Sequence, residues 1–531
     1  MVIRWLGILL CVLAMQAQDV RLQVLATTDL HGRILPVDSF TLQPKNQGWA
    51  RLATAIRAQR AANPNTVLVD CGGATQGDPV NYVWSQLNSK QPEPSMAIMN
   101  ALGCNAMVVG RREFDRGMAR LRAIEEQAQF PWLAANVLFA DGRRAFTPYV
   151  KLDVGGVQVA ILGLVAARPL PDGPDGLVFQ DPVAAARIFI PLLRGQEKVD
   201  MVIVALHGGL GKEPCTDLEN QALCLAQVPG VDLILAGRSG QLVNTEAHGV
   251  PILQAGADGQ ALGVGEFLFH RDRKGRWEPQ SHTIRLLQPG PETASDPQVL
   301  ELTASLRAAA DTYLDTMATT LGVDLDGRWA RMEDTALMRL LHTVARQASG
   351  AQITALPSPG PRIFIPRGLT SVRQFYALCP DDARICRIRV SGRQLRAYLE
   401  HAARFYNFSH NPELFNRAFA PGDFDTLDGC AYVLDISHPA GMRVVDLRVQ
   451  GQPVKDEQTF TLGLLSSRLA GAGGYLEAMG WAGQPEFQSP APFRNQLLEY
   501  VMSRPSLAPV ADDHWRIVPA LDRERVLAQQ P

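Results

Sequence analysis

An aspartate and a histidine two residues apart stand where the first apolar segment of the chain ends. Residues 22–27 form a largely apolar segment that predicts a short strand, and Asp29 and His31 follow in a turn that closes at Gly32. A carboxylate and an imidazole at this spacing can hold a divalent metal from one loop. Open α/β sheets bind ligands at the edge where their strands end, which favours a ligand site here. Strand-end aspartate and histidine also occur without a metal, and the pair alone does not decide between the two.

Further apolar segments alternate with helical ones, and each ends in a polar loop that contains glycine. The predicted strands cover residues 66–69, 106–109, 157–165, 201–206 and 231–236. The loops after them contain DCGGATQGD at 70–78, GRREFD at 110–115, HGG at 207–209 and GRSG at 237–240. This alternation predicts a layered α/β domain whose loops gather at one edge of a sheet.

Length and composition predict a globular protein with more than one domain. The chain has 531 residues, of which 46% are hydrophobic and 20% charged, and its formal net charge is -2. We therefore expect no nucleic-acid polymer and no anionic membrane surface as partner. The composition shifts near residues 288–291, and residues 296–317 have apolar side chains at helical spacing. This pattern predicts a helix that connects to a second domain.

Residues 1–17 have the character of a secretory signal peptide. Arg4 supplies the positive charge, residues 5–15 the apolar core, and Ala17 a small residue before cleavage. The apolar run is short for a membrane span, and no other stretch is long and apolar enough. The predicted location is therefore periplasmic or secreted.

Export would allow disulfide bonds among the eight cysteines. Two pairs are close in sequence, Cys215 with Cys224 and Cys379 with Cys386. Either pair could form a disulfide. None of the cysteines has the spacing of a zinc ribbon.

Taken in order, the loops resemble those of the two-domain 5'-nucleotidase and 2',3'-cyclic-nucleotide 2'-phosphodiesterase family. That family carries a D-x-H loop, a D-x-G-D-x-x-Q-G loop, a G-N-H-E-F-D loop, an L-x-H-x-G loop and a G-H-[ST]-H loop. The resemblance implies a layered metallophosphoesterase domain of the α/β class at 18–288, a linker helix at 289–320 and an α+β 5'-nucleotidase C-terminal domain at 321–531. It also implies nucleotide hydrolysis by a water held on two divalent metals, such as zinc or manganese.

The residues that would hold these metals are only partly present. Asp29, His31 and His207 match metal-ligand positions of the family. Gly73 stands in place of the aspartate that bridges the two metals, and Gly240 replaces a histidine of the last loop. A catalytic zinc site usually has three protein ligands. We therefore expect the metals to be absent or weakly bound, and we assign no catalytic residue.

Arginines stand at the other changed positions. Arg111 replaces the ligand asparagine, Arg112 the catalytic histidine and Arg238 another histidine. Under the resemblance their guanidinium groups project into the former metal pocket, where each can fork onto a phosphate. This predicts an anion-binding site, to which free N–H groups of the glycine-rich turns would add. Alternatively, the arginines pair with Asp29, Glu113 and Asp115 and bind nothing further.

The predicted second domain keeps few of the family's substrate contacts. Residues 422–432 resemble the cyclic-phosphodiesterase branch, whose C-terminal domain stacks the base between two aromatic rings. Tyr432 is the candidate for one ring, unless it is an ordinary core residue of a strand. Ser467 stands where the second ring is expected, so Tyr475 is the candidate substitute. Arg362 is a candidate phosphate or ribose contact.

The sequence thus predicts an exported family member that is catalytically impaired and binds a nucleotide or another phosphate-like anion. One alternative is an active phosphoester hydrolase of nucleotides with a reduced or rearranged metal site. A second is a structural or protein-binding pseudoenzyme. No protein partner can be named from the residues.

Overall fold

The fold is that of a computed structural model, which describes residues 19–87, 90–167, 176–379 and 381–530. The predicted signal peptide at 1–17 lies outside these ranges. The chain divides into two compact units, Met1–Ala309 and Ala310–Pro531. Within the described ranges, no helix combines the length and apolar character that a membrane crossing requires.

The first unit alternates strands and helices, as the loop pattern predicts. Its strands are β1 Asp19–Thr27, β2 Thr66–Asp70, β3 Ala106–Val108, β4 Trp132–Leu133, β5 Val137–Phe139, β6 Tyr149–Val154, β7 Val157–Val165, β8 Leu177–Phe179, β9 Met201–His207, β10 Leu233–Ala236, β11 Leu242–Ala247, β12 Val250–Ala255, β13 Leu262–Arg271 and β14 Trp277–Leu287. Its helices are α1 Trp49–Ala62, α2 Pro79–Leu87, α3 Pro94–Ala101, α4 Met118–Glu125, α5 Pro182–Gly195 and α6 Ala222–Leu225, with a 3₁₀ helix at Arg112–Arg116. Helix α7, Pro297–Leu314, corresponds to the helix expected at 296–317.

Two six-stranded sheets form the layers of this unit. Their strand orders are β14-β13-β1-β2-β3-β4 and β11-β12-β10-β9-β7-β6. Strands β1 to β4 run parallel to one another, as do β7, β9, β10 and β12. The central strands are buried on both faces, which explains their continuous apolar sequences. The parallel arrangement brings the loops after β1, β2 and β3 to one sheet edge, and likewise those after β9 and β10.

The second unit mixes smaller sheets with helices. Its strands are β15 Met317–Leu321, β16 Leu325–Asp326, β17 Ile353–Pro357, β18 Phe364–Ile365, β19 Gly368–Ser371, β20 Arg384–Ser391, β21 Asp425–Asp428, β22 Ala431–Asp435, β23 Val444–Val449, β24 Gln452–Pro453, β25 Thr459–Leu465, β26 Phe487–Pro492, β27 Ser506–Leu507 and β28 Trp515–Val518. Its helices are α8 Ala336–Ser349, α9 Val372–Tyr376, α10 Gly392–Ala403, α11 Ser466–Leu469, α12 Tyr475–Ala478, α13 Phe493–Met502 and α14 Arg523–Gln529, with 3₁₀ helices at Pro421–Asp423 and Ala472–Gly474. The largest sheet has the order β21-β17-β25-β20-β26.

Local sequence fixes the long helix α8 of this unit. The Thr335 side chain accepts a hydrogen bond from the Met338 N–H and caps the first turn. Gly350 ends the helix in the left-handed conformation, with φ of 62°. The apolar face of α8 is buried. Helix α10 packs into an aromatic-rich core that includes Tyr398 and Phe405.

Of the two possible cysteine pairs, one forms. Cys215, in the loop after β9, and Cys224, in helix α6, are joined by a disulfide. Cys379 and Cys386 are free thiols.

Candidate functional site

The loops after β1, β2 and β10 meet at one edge of the first unit. The Asp29 N–H donates to the Gly72 carbonyl at 2.8 Å, and the His31 N–H donates to the Gly73 carbonyl at 2.8 Å. The Arg238 backbone N–H donates to Asp29 Oδ2 at 2.5 Å. Loops that are far apart in sequence are therefore in direct contact.

Three side chains of this cluster rest on strained backbone. Asp29, His31 and Arg238 have φ values of 51°, 49° and 68°, in the left-handed region that non-glycine residues avoid. Such residues cost about 1–3 kcal/mol each and cluster at ligand and active sites. The strain is consistent with loops shaped for a ligand.

The Asp29 carboxylate is buried and satisfied by the protein itself. Oδ2 accepts the Arg238 N–H and also the Thr28 hydroxyl, at 2.7 Å. Oδ1 lies 3.9 Å from His31 Nε2. A single oxygen of this carboxylate therefore faces its predicted partner in metal binding.

His31 is oriented by a carboxylate outside the predicted set. Its Nδ1 lies 2.9 Å from Asp258 Oδ1. Burial alone would raise the pKa of Asp258, but the hydrogen bond and charge of His31 and the charge of Arg33 lower it below its ordinary value. A carboxylate on the far ring nitrogen is the usual outer partner of a ligating histidine, so His31 keeps Nε2 for a ligand.

Gly73 lies between the two predicted ligands Asp29 and His207. A Cβ at Gly73 would come within 2.8 Å of Asp29 Oδ1 and 3.5 Å of His207 Cε1. His207 is buried, and its Nδ1 lies 2.7 Å from the Cys71 carbonyl. The position that the resemblance assigns to a bridging carboxylate is therefore central to the cluster, and it carries no side chain.

Two acidic residues near the cluster serve the backbone of the turns. The Glu113 carboxylate accepts N–H groups of residues 73–75, including that of Ala74 at 2.9 Å. Asp70 accepts the Thr27 hydroxyl at 2.6 Å and the Gly72 N–H at 2.8 Å. Burial raises the pKa of Asp70 to about 8. The two hydrogen bonds act to lower this pKa, and the negative charges of Glu113 and Asp29 raise it further. The expectation that these turns leave their N–H groups for an anion is wrong for residues 73–75.

Two of the three predicted arginines meet on one carboxylate. Arg238 Nη2 donates to Glu219 Oε2 at 2.7 Å, and Arg111 Nη1 lies 3.7 Å from Glu219 Oε1. All three side chains are partly exposed, at 21%, 31% and 28% for Arg238, Arg111 and Glu219. Arg112 begins the 3₁₀ helix, and its carbonyl accepts the Gln76 side-chain amide.

Sequence reasoning missed Glu219. Its loop carries no motif of the family, but it lies between the two cysteines of the disulfide, Cys215 and Cys224. The position of Glu219 between these two cysteines was the one indication in the sequence that its loop is held in place.

The residues present do not fit a two-metal centre. Among the described residues, no three ligand atoms of histidine, cysteine, aspartate or glutamate converge at this edge. Asp29 and His31 offer two atoms, and His207 offers its Nε2 from the end of β9. The cluster therefore gives no support for a nucleophile held between metals.

The predicted substrate contacts of the second unit fall in different environments. Tyr432 is buried and stacks on Trp515 with ring centroids 5.5 Å apart. Tyr475 is fully buried, and its ring lies 4.2 Å from that of Tyr398. Arg362 is exposed. The two tyrosines are core residues in this conformation and present no open ring face to a base, so the structure does not bring these three residues together as a site.

Comparisons with known proteins assign a domain family to each of two parts of the chain. A calcineurin-like phosphoesterase model matches residues 22–237, and a 5'-nucleotidase C-terminal domain model matches residues 315–480. The chain is 26% identical to a 2',3'-cyclic-nucleotide 2'-phosphodiesterase/3'-nucleotidase of Haemophilus influenzae, over 96% of this chain and 89% of that protein. It is 25% identical to the trifunctional nucleotide phosphoesterase protein YfkN of Bacillus subtilis, over 95% of this chain but 39% of that longer protein. A 5'-nucleotidase precursor from Thermus thermophilus shares the fold, with a TM-score of 0.66, 22% identity and coverage of 94% and 100%.

The first unit is thus a calcineurin-like phosphoesterase domain, followed by a 5'-nucleotidase C-terminal domain. The chain belongs to the two-domain family of 5'-nucleotidases and cyclic-nucleotide phosphodiesterases. The predicted family and fold class are confirmed. Membership implies the use of divalent metals, and the cluster described above departs from that expectation.

Proposed function

We propose that this protein is a catalytically impaired member of its family that binds a nucleotide or another phosphate-like anion at the Arg111–Arg238 pair. The observation that carries the proposal is the meeting of two guanidinium groups at Glu219, beside the loops whose family counterparts hold metals. Guanidinium groups fork onto phosphate oxygens as they do onto carboxylates. The chemistry offered at this edge is therefore anion recognition.

Glu219 supports the proposal because it shows which kind of group the arginine pair binds. A carboxylate with one oxygen near each arginine has the charge and the paired oxygens of a phosphate ester. An incoming phosphate would compete with this internal anion or displace it. The partial exposure of all three side chains gives a ligand access from solvent.

Loss of hydrolysis follows from the same cluster. Two-metal phosphoesterases use the metals to hold the nucleophile and to neutralise both the attacking and leaving oxygens. Gly73 supplies no bridging carboxylate, and the Arg238 backbone N–H already occupies one oxygen of Asp29. We propose that nucleotides bind here without turnover.

Export is part of the proposal. The Cys215–Cys224 disulfide is typical of an oxidising compartment such as the periplasm or the extracellular space. It agrees with the signal-like sequence at residues 1–17.

Thermal melting of the full chain tests the binding claim. Phosphate, sulfate or 5'-AMP at millimolar concentration should raise the melting temperature above that in chloride of equal ionic strength, because a ligand of the folded state stabilises it by mass action. Arg238→Ala should abolish the rise. Arg285→Ala, which removes another partly exposed arginine–glutamate pair with 2.8 Å between Arg285 Nη1 and Glu266 Oε1, should retain it. An unchanged melting curve in all three anions would leave the structural or protein-binding alternative.

A further inference from the structure

We propose that Asp334, Asp512 and His514, in the second unit, form a binding site for a zinc-type divalent cation. Among the described residues, these are the three side chains whose ligand atoms all lie within 4.8 Å of one another. They belong to the 5'-nucleotidase C-terminal domain. The proposal is independent of the anion site at Glu219.

The distances suit one small cation. His514 Nδ1 lies 2.7 Å from Asp512 Oδ1 and 3.5 Å from Asp334 Oδ2. Ligand atoms on a tetrahedral zinc at about 2.1 Å are about 3.4 Å apart. A zinc ion would therefore need only a small outward shift of Asp512, whose side chain is 54% exposed.

The second ring nitrogen of His514 supplies the independent argument. Nε2 lies 2.7 Å from the Leu427 carbonyl, which can only accept a hydrogen bond. Nδ1 faces two carboxylates, which when ionised also only accept. A divalent cation on Nδ1 would also contact the facing carboxylate oxygens, and a backbone carbonyl on Nε2 is the usual outer partner of a metal-bound histidine.

The surrounding chain holds the three groups in place. Asp334 precedes the Thr335 cap of α8, and its side chain is buried. Its Oδ2 accepts the Asp512 N–H at 2.8 Å. His514 directly precedes β28, which pairs in parallel with β22. Two ligands are thus fixed by a helix start and a strand start, and Asp512 is the adjustable one.

Arg339 is the competing cation. It contacts Asp512 Oδ2 and also donates to Asp428 Oδ1 at 2.9 Å. A metal must share Asp512 with this guanidinium, so the site is expected to exchange its ion. The protein as purified without added metal should therefore carry less than one equivalent.

Calorimetric titration of the chelator-treated, dialysed full chain with zinc chloride tests the proposal. One equivalent should bind to the unmodified protein. His514→Ala and Asp512→Asn should each abolish this binding, and the exposed position of Asp512 makes its variant a mild one for folding. His270→Ala is the matched control, because it removes an exposed histidine that lies 2.8 Å from Asp19, and it should keep the full equivalent.

Crystals soaked in zinc provide the second measurement. An anomalous scattering peak should appear within bonding distance of Asp334, Asp512 and His514. A peak elsewhere, or equal zinc binding by the unmodified protein and His514→Ala, overturns the proposal. Folded protein that takes up no zinc overturns it as well.

Discussion

The backbone N–H of Arg238 donates a 2.5 Å hydrogen bond to the buried carboxylate of Asp29. This contact joins the loop after β10 to the loop after β1. It occupies one oxygen of a carboxylate that the family resemblance assigns to metal binding. The Arg238 side chain extends from the same residue to Glu219. Arg238 therefore has two roles. Its backbone N–H donates to the carboxylate of Asp29, and its side chain supplies the proposed anion contact.

Glu219→Gln should strengthen phosphate binding. The change removes the internal negative charge that lies against Arg111 and Arg238, so an external anion no longer competes with it. The gain is expected to be about tenfold in the dissociation constant, the scale of one charged hydrogen bond. Phosphate titration by calorimetry measures it. Equal or weaker binding by the variant would show that Glu219 is not a competitor.

Gly73→Asp should not restore hydrolysis. The new side chain would start from a backbone with φ of 77°, and its Cβ would lie 2.8 Å from Asp29 Oδ1. Strain of about 1–2 kcal/mol is expected from the left-handed backbone alone, with like-charge crowding in addition. Assays with 2',3'-cyclic AMP and added zinc or manganese check the activity.

Gly142→Asp is the control for this substitution. Gly142 has φ of 83°, and a Cβ added there would meet nothing within 4 Å, so this position reports backbone strain without crowding. Gly73→Asp should lower the free energy of unfolding more than Gly142→Asp does. Enzymatic turnover by the Gly73→Asp variant would contradict this prediction.

Glu93→Gln should change the pH dependence of stability. Burial raises the pKa of Glu93 to about 8, against hydrogen bonds from Met96 and Asn81. Between about pH 4.5 and 8 the folded chain keeps a proton that the unfolded chain releases, so this group lowers the free energy of unfolding as pH rises. Glutamine does not titrate, so the variant should gain stability relative to the unmodified protein over this window.

Chemical denaturation from pH 5 to 8 measures that difference. Glu301→Gln, at an exposed position of α7, is the control and should follow the unmodified protein at each pH. A constant difference between Glu93→Gln and the unmodified protein across the window would show that Glu93 does not hold its proton.

Arg468→Met should destabilise the second unit by about 3–5 kcal/mol, because it leaves a buried charge without its partner. Arg468 Nη2 lies 2.5 Å from Asp425 Oδ1, with 4% and 0% of the two side chains exposed. Arg393→Met removes a pair with Asp456 in which the arginine side chain is 77% exposed, and should cost at most about 1 kcal/mol. Urea unfolding compares the two. Similar costs would mean that Asp425 is satisfied by its other partners.

The sequence was most informative where one local pattern of residues indicates both the fold and the position of a site. Apolar strands ending in glycine-bearing loops predicted the α/β layers, and the spacing of Asp29 and His31 located the edge where the loops meet. Acidic residues in the loops after strands, such as Asp70 and Glu113, often serve turns. The hydrogen bonds of both to turn N–H groups agree with that possibility.

Contacts between distant loops were beyond the sequence. Glu219 reaches Arg238 only because the disulfide-closed loop and the turn after β10 are adjacent in space. Tyr432 and Tyr475 had the residue type of a base-stacking ring, but type does not reveal burial. Packing against Trp515 and Tyr398 encloses them. Asp334 and His514 are 180 positions apart in the sequence, so no local spacing of residues predicts their cluster.

Phosphorus-31 magnetic resonance of the full chain with 2',3'-cyclic AMP and added zinc tests the central claim most directly, because one spectrum reports both binding and turnover. The account predicts that the substrate resonance broadens or shifts as protein is added, that this change is lost in Arg238→Ala, and that no product resonance grows with time. A product resonance that grows in proportion to protein concentration would contradict it.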